Sequence, residues 1–202
     1  VLPGCLPHLD SEAVAKLGRG EPLIFDGVLG TLASADVIAV LTADLRALRP
    51  AAIGHAGTPA PEVRGDSTRW LDAASMRSVA ALSELFAHIG RELRENAWLG
   101  RLETEIQLAF HPGNGALYQR HRDAFVGRGR RRATAIYYMN ASWVAEDHGE
   151  LRIYTADREI DIEPIADRLV IFLADEVEHA VLACRAPRWA ATAWYLGPGI
   201  VN

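Results

Sequence analysis

Cysteine is scarce in this 202-residue chain, with Cys5 and Cys184 making up the whole supply. Two thiols cannot build the disulfide framework of a small secreted domain, and neither stands in a C-x-x-C or C-x-x-C-H context. A reducing compartment, the cytoplasm, is the expectation. Lysine is scarcer still: Lys16 is the single lysine among 21 basic residues. It lies near the N-terminus, outside any pocket-forming motif, which argues against Schiff-base and pyridoxal chemistry. Long apolar runs are missing as well, since no stretch approaches the roughly 18 apolar residues that a membrane-spanning helix needs. Residues 1–11 lack the basic region and apolar core of an export signal. The chain begins at Val1 rather than Met, so no preceding segment enters the reasoning. Positive charge is in deficit too. A formal net charge of −5 argues against a main role in coating nucleic acid, an affinity that comes largely from neutralising phosphates. No P-loop or G-x-G-x-x-G is present, and there is no solenoid repeat, heptad or low-complexity tail.

What is there divides into two halves. Half of the residues are hydrophobic, enough for one domain with a substantial core over residues 1–202. Residues 1–100 read mainly as helix. Candidates are 11–17, then 34–48 with Val37, Ile38, Leu41, Leu45 and Leu48 at helical spacing behind a Ser cap, then a long amphipathic helix over 73–98. The Pro/Gly/Ala stretch 50–61 reads as a loop. From Leu102 onward the pattern changes to short β-branched and aromatic segments punctuated by Gly, Pro and Asp. Strands are predicted at 103–110, 117–121, 133–140, 150–154, 159–163, 168–173, 178–183 and 188–196. Eight short strands behind a helical half give an α+β class: a double-stranded β-helix, that is, a jelly-roll or cupin-like barrel, with supporting N-terminal helices on one outer face. A sandwich without a central site is the bland alternative.

Within the barrel half, His121 and Asp123 flank Arg122 at the end of a predicted strand. Side chains alternate faces with a period of two, so the two share one face. His179 falls in a later predicted strand, and only a folded barrel could bring it to them. Two histidines and one carboxylate on one octahedral face leave three positions open, the arrangement of non-haem Fe(II) oxygenases rather than of a closed zinc site. Beyond His179 the 185–187 segment reads as a hairpin turn. On that reading Ala183 opposes Arg188, His179 faces Thr192, and Arg188 lies about 13 Å along the barrel from the metal. An Arg side chain and a five-carbon diacid span such a gap, and guanidinium suits a carboxylate through two parallel hydrogen bonds.

These residues carry a resemblance. From about Val63 to Trp194 the sequence resembles the Fe(II)/2-oxoglutarate-dependent prolyl hydroxylases of the oxygen-sensing and bacterial SM-20-like kind. The shared pieces are VRGDSTRW at 63–70, PGNG at 112–115, YQRHRD at 118–123, IYYMN at 136–140, GELR at 149–152, DIEP at 161–164, and His179 with Arg188. The resemblance implies Fe(II) bound by His121, Asp123 and His179. It implies 2-oxoglutarate and O2 as co-substrates, ascorbate as a support, and Arg188 with Tyr138 on the distal carboxylate. Ile136, Leu151, Thr192 and Trp194 would line the pocket, with Trp194 also near the substrate. It further implies a protein substrate bearing a target proline. Bacterial relatives act on elongation factor Tu and animal relatives on a transcription factor, and the translation factor is the favoured candidate here. Arg64 and Asp66 match a segment that approaches the peptide substrate, and the residue matching Arg131 often pairs with its Asp.

One position departs from the pattern. Relatives usually place Tyr just before Pro-Gly, where this chain has His111, which either replaces the phenol's hydrogen bond or fills its space. Residues 64–66 could equally be a plain surface turn. Six arginines lie between Arg120 and Arg132, a solvated loop on the bland reading and a basic rim attracting an acidic partner on the sharper one. Trp143 and Trp189 read as packing residues and Cys184 as a buried small one. The competing functions are an oxygenase acting on another amino-acid residue, a nucleic-acid demethylase on the same barrel, and a non-catalytic binding module.

Overall fold

The computed structural model describes residues 4–53, 58–97, 99–100, 102–124 and 130–197. Its framework follows from one alternation. Along the segment Arg131–Tyr138 (β8), Ala133, Ala135 and Tyr137 belong to one apolar cluster, while Ile136 and Tyr138 belong to a second on the other face. The period of two therefore assigns one face to the helices and the other to the barrel interior.

The strands in chain order are Leu23–Asp26 (β1), Arg49–Pro50 (β2), Ala52–Ile53 (β3), Thr58–Pro59 (β4), Ser67–Trp70 (β5), Glu103–His111 (β6), Tyr118–His121 (β7) and β8. Then follow Leu151–Tyr154 (β9), Glu159–Ile162 (β10), Arg168–Leu173 (β11), Glu178–Val181 (β12) and Arg188–Leu196 (β13). A major sheet has the order β1-β11-β8-β13-β6-β5-β2 and a minor one β10-β9-β12-β7; β3 and β4 pair alone. Every ladder is antiparallel. The two facing sheets make a double-stranded β-helix, and the eight strands expected after Leu102 all form.

Helices Ser11–Gly18 (α1), Thr31–Thr42 (α2), Ala73–Arg77 (α3) and Ala80–Glu95 (α4) complete the chain. On α4, Leu82, Leu85, Phe86, Ile89 and Leu93 form one buried stripe against the outer face of the major sheet. The Tyr195 hydroxyl of β13 donates to Phe86 O at 2.8 Å, tying helix to sheet. No helix among the described residues is long and apolar enough to cross a membrane.

Four expectations need correction. The helix expected over 34–48 begins at Thr31 and ends at Thr42, with only a 3-10 turn at Leu45–Ala47 beyond it. Its start is set from outside, because Asp167 accepts from the Leu29 and Gly30 amides. The single helix expected over 73–98 is two helices. The Ser78 hydroxyl bonds back to Ser75 O at 2.6 Å, and Val79 leaves helical geometry with φ −128° and ψ 59°, the backbone competition expected of serine and a β-branched residue. Trp98 lies outside the described residues. The 50–61 stretch, expected as a loop, carries β3 and β4, and β1 and β5 extend the major sheet on opposite sides within the half expected to be mainly helical. Finally, residues 185–187 do not close a hairpin. β12 pairs with β7 and β9, whereas β13 pairs with β6 and β8, so the segment crosses from the minor to the major sheet.

Candidate metal and co-substrate site

β7 and β12 are neighbours in the minor sheet, with His121 and His179 as direct cross-strand partners and ring centroids 4.3 Å apart. Asp123 follows β7 by two residues and returns to the same face. His121 Nδ1 lies 2.7 Å from Gln119 O, and His179 Nδ1 lies 3.3 Å from Val177 O. These contacts place the proton on Nδ1 and turn each Nε2 inward. His121 Nε2 is 3.6 Å from Asp123 Oδ1 and His179 Nε2 is 3.8 Å from Asp123 Oδ2. One donor atom from each residue lies within 4.8 Å of the others, a spacing that one metal ion can bridge.

The electrostatics suit a cation. Burial alone would raise the Asp123 carboxyl, but His179 and His121 facing it, with a 2.7 Å hydrogen bond from Thr134, hold it well below the usual carboxylate range. Burial pushes His179 down to about 4, so its imidazole is neutral at physiological pH and ready as a ligand.

The opposing wall comes from the major sheet. Arg188, at the start of β13, is 3% exposed, and its Nε donates to Gly149 O at 2.7 Å. Glycines explain two of the motifs. Gly149 has φ 79°, and a Cβ there would come 2.7 Å from Cys184 Sγ and 3.1 Å from Arg188 Cδ. Gly113 has φ 82°, and a Cβ there would come 2.5 Å from Ala186 C. Both turns thus need glycine to let the backbone pack around Arg188.

Arg188, His121, Asp123, His179, Ile136, Leu151, Thr192, Trp194, His111, Arg64, Asp66 and Arg131 all line one cleft. Tyr138 is buried behind it, its ring centroid 5.0 Å from the Arg188 guanidinium carbon. His179 and Thr192 therefore meet across the cleft from different sheets, not as ladder partners. The hairpin reasoning put Arg188 in the right cleft by the wrong connection. Missed lining residues include Gln107 and Ala109, which share β6 parity with His111, and Ala190, which shares parity with Arg188 and Thr192; the period of two could have found all three. Tyr118 stacks on His121 at 3.6 Å between ring centroids, and the Arg64 guanidinium carbon lies 4.6 Å from the Tyr118 ring centroid.

Several buried polar groups here have no hydrogen-bond partner among the described residues: Tyr138 Oη, both His111 nitrogens and Trp194 Nε1. Unmet polar groups are costly, and those of Tyr138 and His111, which neighbour the buried Arg188 guanidinium, fit an anionic ligand with further acceptors. Burial, with Arg188 adding to it, pushes His111 down to about 3, so its neutral ring offers one donor and one acceptor.

The peripheral expectations fare unevenly. Asp66 is held by Arg64 at 2.7 Å, not by Arg131, which lies 3.8 Å over the Trp194 ring and 3.9 Å from Glu105. Arg64 also reaches Gln107 at 3.0 Å, so residues 64–66 are a wall of the cleft and not a free turn. Trp143 and Trp189 do pack: Trp143 Nε1 donates to His148 O, and Trp189 lies 4.4 Å from Phe110. Cys184 is buried, its thiol pushed up to about 11 mainly by burial.

Comparison with known proteins agrees with this geometry. The family model described as "2OG-Fe(II) oxygenase superfamily" matches residues 106–196. Human "Prolyl hydroxylase EGLN3" is 36% identical over 150 residues, covering 70% of this chain and 62% of that protein; this chain thus spans about three-fifths of that relative's length. A Pseudomonas putida prolyl-4-hydroxylase structure is 33% identical with a TM-score of 0.72, covering 92% of this chain and 97% of that one. A Trichoplax adhaerens prolyl hydroxylase, in complex with a hypoxia inducible factor peptide fragment, gives 26% identity and a TM-score of 0.82, covering 91% and 87%.

Proposed function

This chain belongs to the 2OG-Fe(II) oxygenase superfamily, among relatives that are prolyl hydroxylases, and from that premise we propose that it hydroxylates a prolyl residue of a protein substrate. The observation that carries the proposal is the convergence, in one cleft, of the His121, Asp123 and His179 donors with the buried Arg188 of the opposing sheet. His121, Asp123 and His179 would hold Fe(II). Arg188 and Tyr138 would take the far carboxylate of 2-oxoglutarate, the guanidinium and the Tyr138 hydroxyl supplying the donors. Ile136, Leu151 and Thr192 would shape the cavity around its carbon chain. Neutral His111 would give a hydrogen bond in place of the phenol usual in relatives, since both of its nitrogens await a partner.

When bound, the metal with 2-oxoglutarate and O2 supplies oxidative decarboxylation to succinate and CO2 and delivers one oxygen atom to a C–H bond. The chain's own contribution is orientation and exclusion of water. Asp123 would fill the third protein ligand position, which would favour hydroxylation over halogenation. At the mouth, Trp194 with Arg131 stacked on it, and Arg64 with Asp66, would meet the polypeptide around the target proline. Elongation factor Tu is the first substrate to inspect.

The test is mass spectrometry of a host lysate incubated with the protein, Fe(II) and ascorbate, with and without 2-oxoglutarate. A one-oxygen gain on a single proline, present only with 2-oxoglutarate, is expected. Succinate without any prolyl product would remove the prolyl assignment and keep the oxygenase; neither product would leave a non-catalytic barrel.

A further inference from the structure

Asn140 has no assigned role, yet it occupies the point where the diacid end of the cleft is built. β8 ends at Tyr138 and β13 starts at Arg188, and their ladder begins with the pair Ala190 and Tyr138. Just beyond that pair the backbone contact thins to one long bond, Met139 N to Trp189 O at 3.4 Å, and the Asn140 side chain continues the ladder. Its Oδ1 accepts from the Trp189 amide at 2.7 Å, and its Nδ2 donates to Trp189 O at 3.1 Å. The same Nδ2 donates to Pro164 O at 2.7 Å, and the Asn140 backbone bridges Ile165. The side chain is buried at 8% exposure, and three chain segments meet on one amide. No other side chain hydrogen-bonds Trp189's backbone among the bonds described.

We propose that Asn140 is a positioning residue for the distal carboxylate site, fixing Arg188 and Tyr138 relative to each other by clamping the backbone next to both. The proposal rests on the reading that those two residues hold the far end of 2-oxoglutarate. Arg188 is otherwise held from the β6 side by its ladder pairing with His111 and by its Nε bond to Gly149 O, which leaves its backbone unrestrained on the β8 side, where Tyr138 lies. Asn140 supplies the second constraint, two residues from Tyr138 and one peptide from Arg188. An amide is required because the position needs an acceptor and a donor on one planar group. A carboxylate would keep the Trp189 amide bond but set its second oxygen against two carbonyls, and an aliphatic residue would leave the Trp189 amide and Pro164 O without this partner and Trp189 O with only the long bond from Met139 N.

The distinguishing experiment uses Fe(II)-loaded protein without oxygen, titrated calorimetrically with 2-oxoglutarate and, separately, with oxalate. Both chelate a metal, but oxalate has no distal carboxylate for Arg188. Asn140→Ala and the near-isosteric Asn140→Asp should weaken 2-oxoglutarate by about tenfold or more, as expected for misplacing one or two charge-assisted hydrogen bonds. Oxalate binding should stay within about twofold, and kcat at saturating 2-oxoglutarate should change less than KM. Equal losses for the two ligands would mean a merely structural asparagine, and unchanged 2-oxoglutarate affinity in both variants would equally overturn the proposal. Arg188→Ala is run alongside. If it keeps full 2-oxoglutarate affinity, the anchor reading itself fails and the Asn140 proposal falls with it.

Discussion

Thr134 and Asp123 show how one hydroxyl can set a metal site. Thr134 is fully buried and donates to Asp123 Oδ2 at 2.7 Å, leaving Oδ1 facing His121. Asp123→Ala is expected to abolish product formation, and unchanged turnover would remove Asp123 from the ligand set. Thr134→Val keeps the volume and removes the donor. It should weaken Fe(II) binding by about 10–100-fold, read by competition with a metal-sensitive dye. His111 offers a pH test. Its folded-state value is about 3 against 6.5 for the free side chain, so between those values the unfolded chain binds a proton that the folded one refuses. Stability contributed by keeping His111 neutral is complete above pH 6.5 and is lost as pH falls toward 3. The drop in urea midpoint between pH 7 and pH 5 should therefore shrink in His111→Phe, and an unchanged drop would contradict the burial argument. Side-chain parity made the His121 and Asp123 pairing legible from sequence. The unpaired state of His111 was not legible, because it depends on what surrounds the ring in three dimensions.

At the level of elements, the eight barrel strands were readable because they are short, rich in β-branched and aromatic residues, and separated by Gly, Pro and Asp at close spacing. β1 and β5 were not: each has only four residues and sits among helical periodicity, so pairing partners more than a hundred residues away for β1, and across α4 for β5, decide its state. The crossover at 185–187 escaped for a related reason, since turn chemistry reports a change of direction but not which sheet receives the chain. Helix α2 owes its start to a distant residue too. Asp167, held at φ 63°, accepts from Leu29 N and Gly30 N at 2.8 Å each. Tyr137 Oη lies 3.2 Å from the same carboxylate and 3.0 Å from Ser34 Oγ. Asp167→Ala should cost about 2–4 kcal/mol, the loss of several bonds to a charged acceptor with amides left unmet. Urea denaturation checks it, and a loss under about 0.5 kcal/mol, typical of a plain surface substitution, would show that the α2 start is set elsewhere.

Across the whole molecule, the distribution of charge decides between a protein and a nucleic-acid substrate. The arginine cluster near the cleft invited the idea of a phosphate track, but its described members are engaged. Arg120 and Arg122 both face Glu178, Arg130 reaches Glu103, Arg131 faces Glu105, and Arg132 faces Asp175. Arg128 lies outside the described residues. Each pairing acid must be displaced before a phosphate can bind, and the net charge of −5 repels a polyanion at long range. A sequence count of arginines could not reveal this, because the partners come from β6, β12 and the segment between β11 and β12. Binding of a labelled single-stranded oligonucleotide should therefore be weaker than about 100 µM at physiological salt, the weak edge of ordinary non-specific affinity. Fluorescence anisotropy across a salt series measures it. Micromolar binding with a steep salt dependence would mean that the acids yield to phosphates, and the demethylase reading would then displace the protein-substrate one; flat, weak binding leaves the stacked Trp194 and Arg131 mouth for a polypeptide.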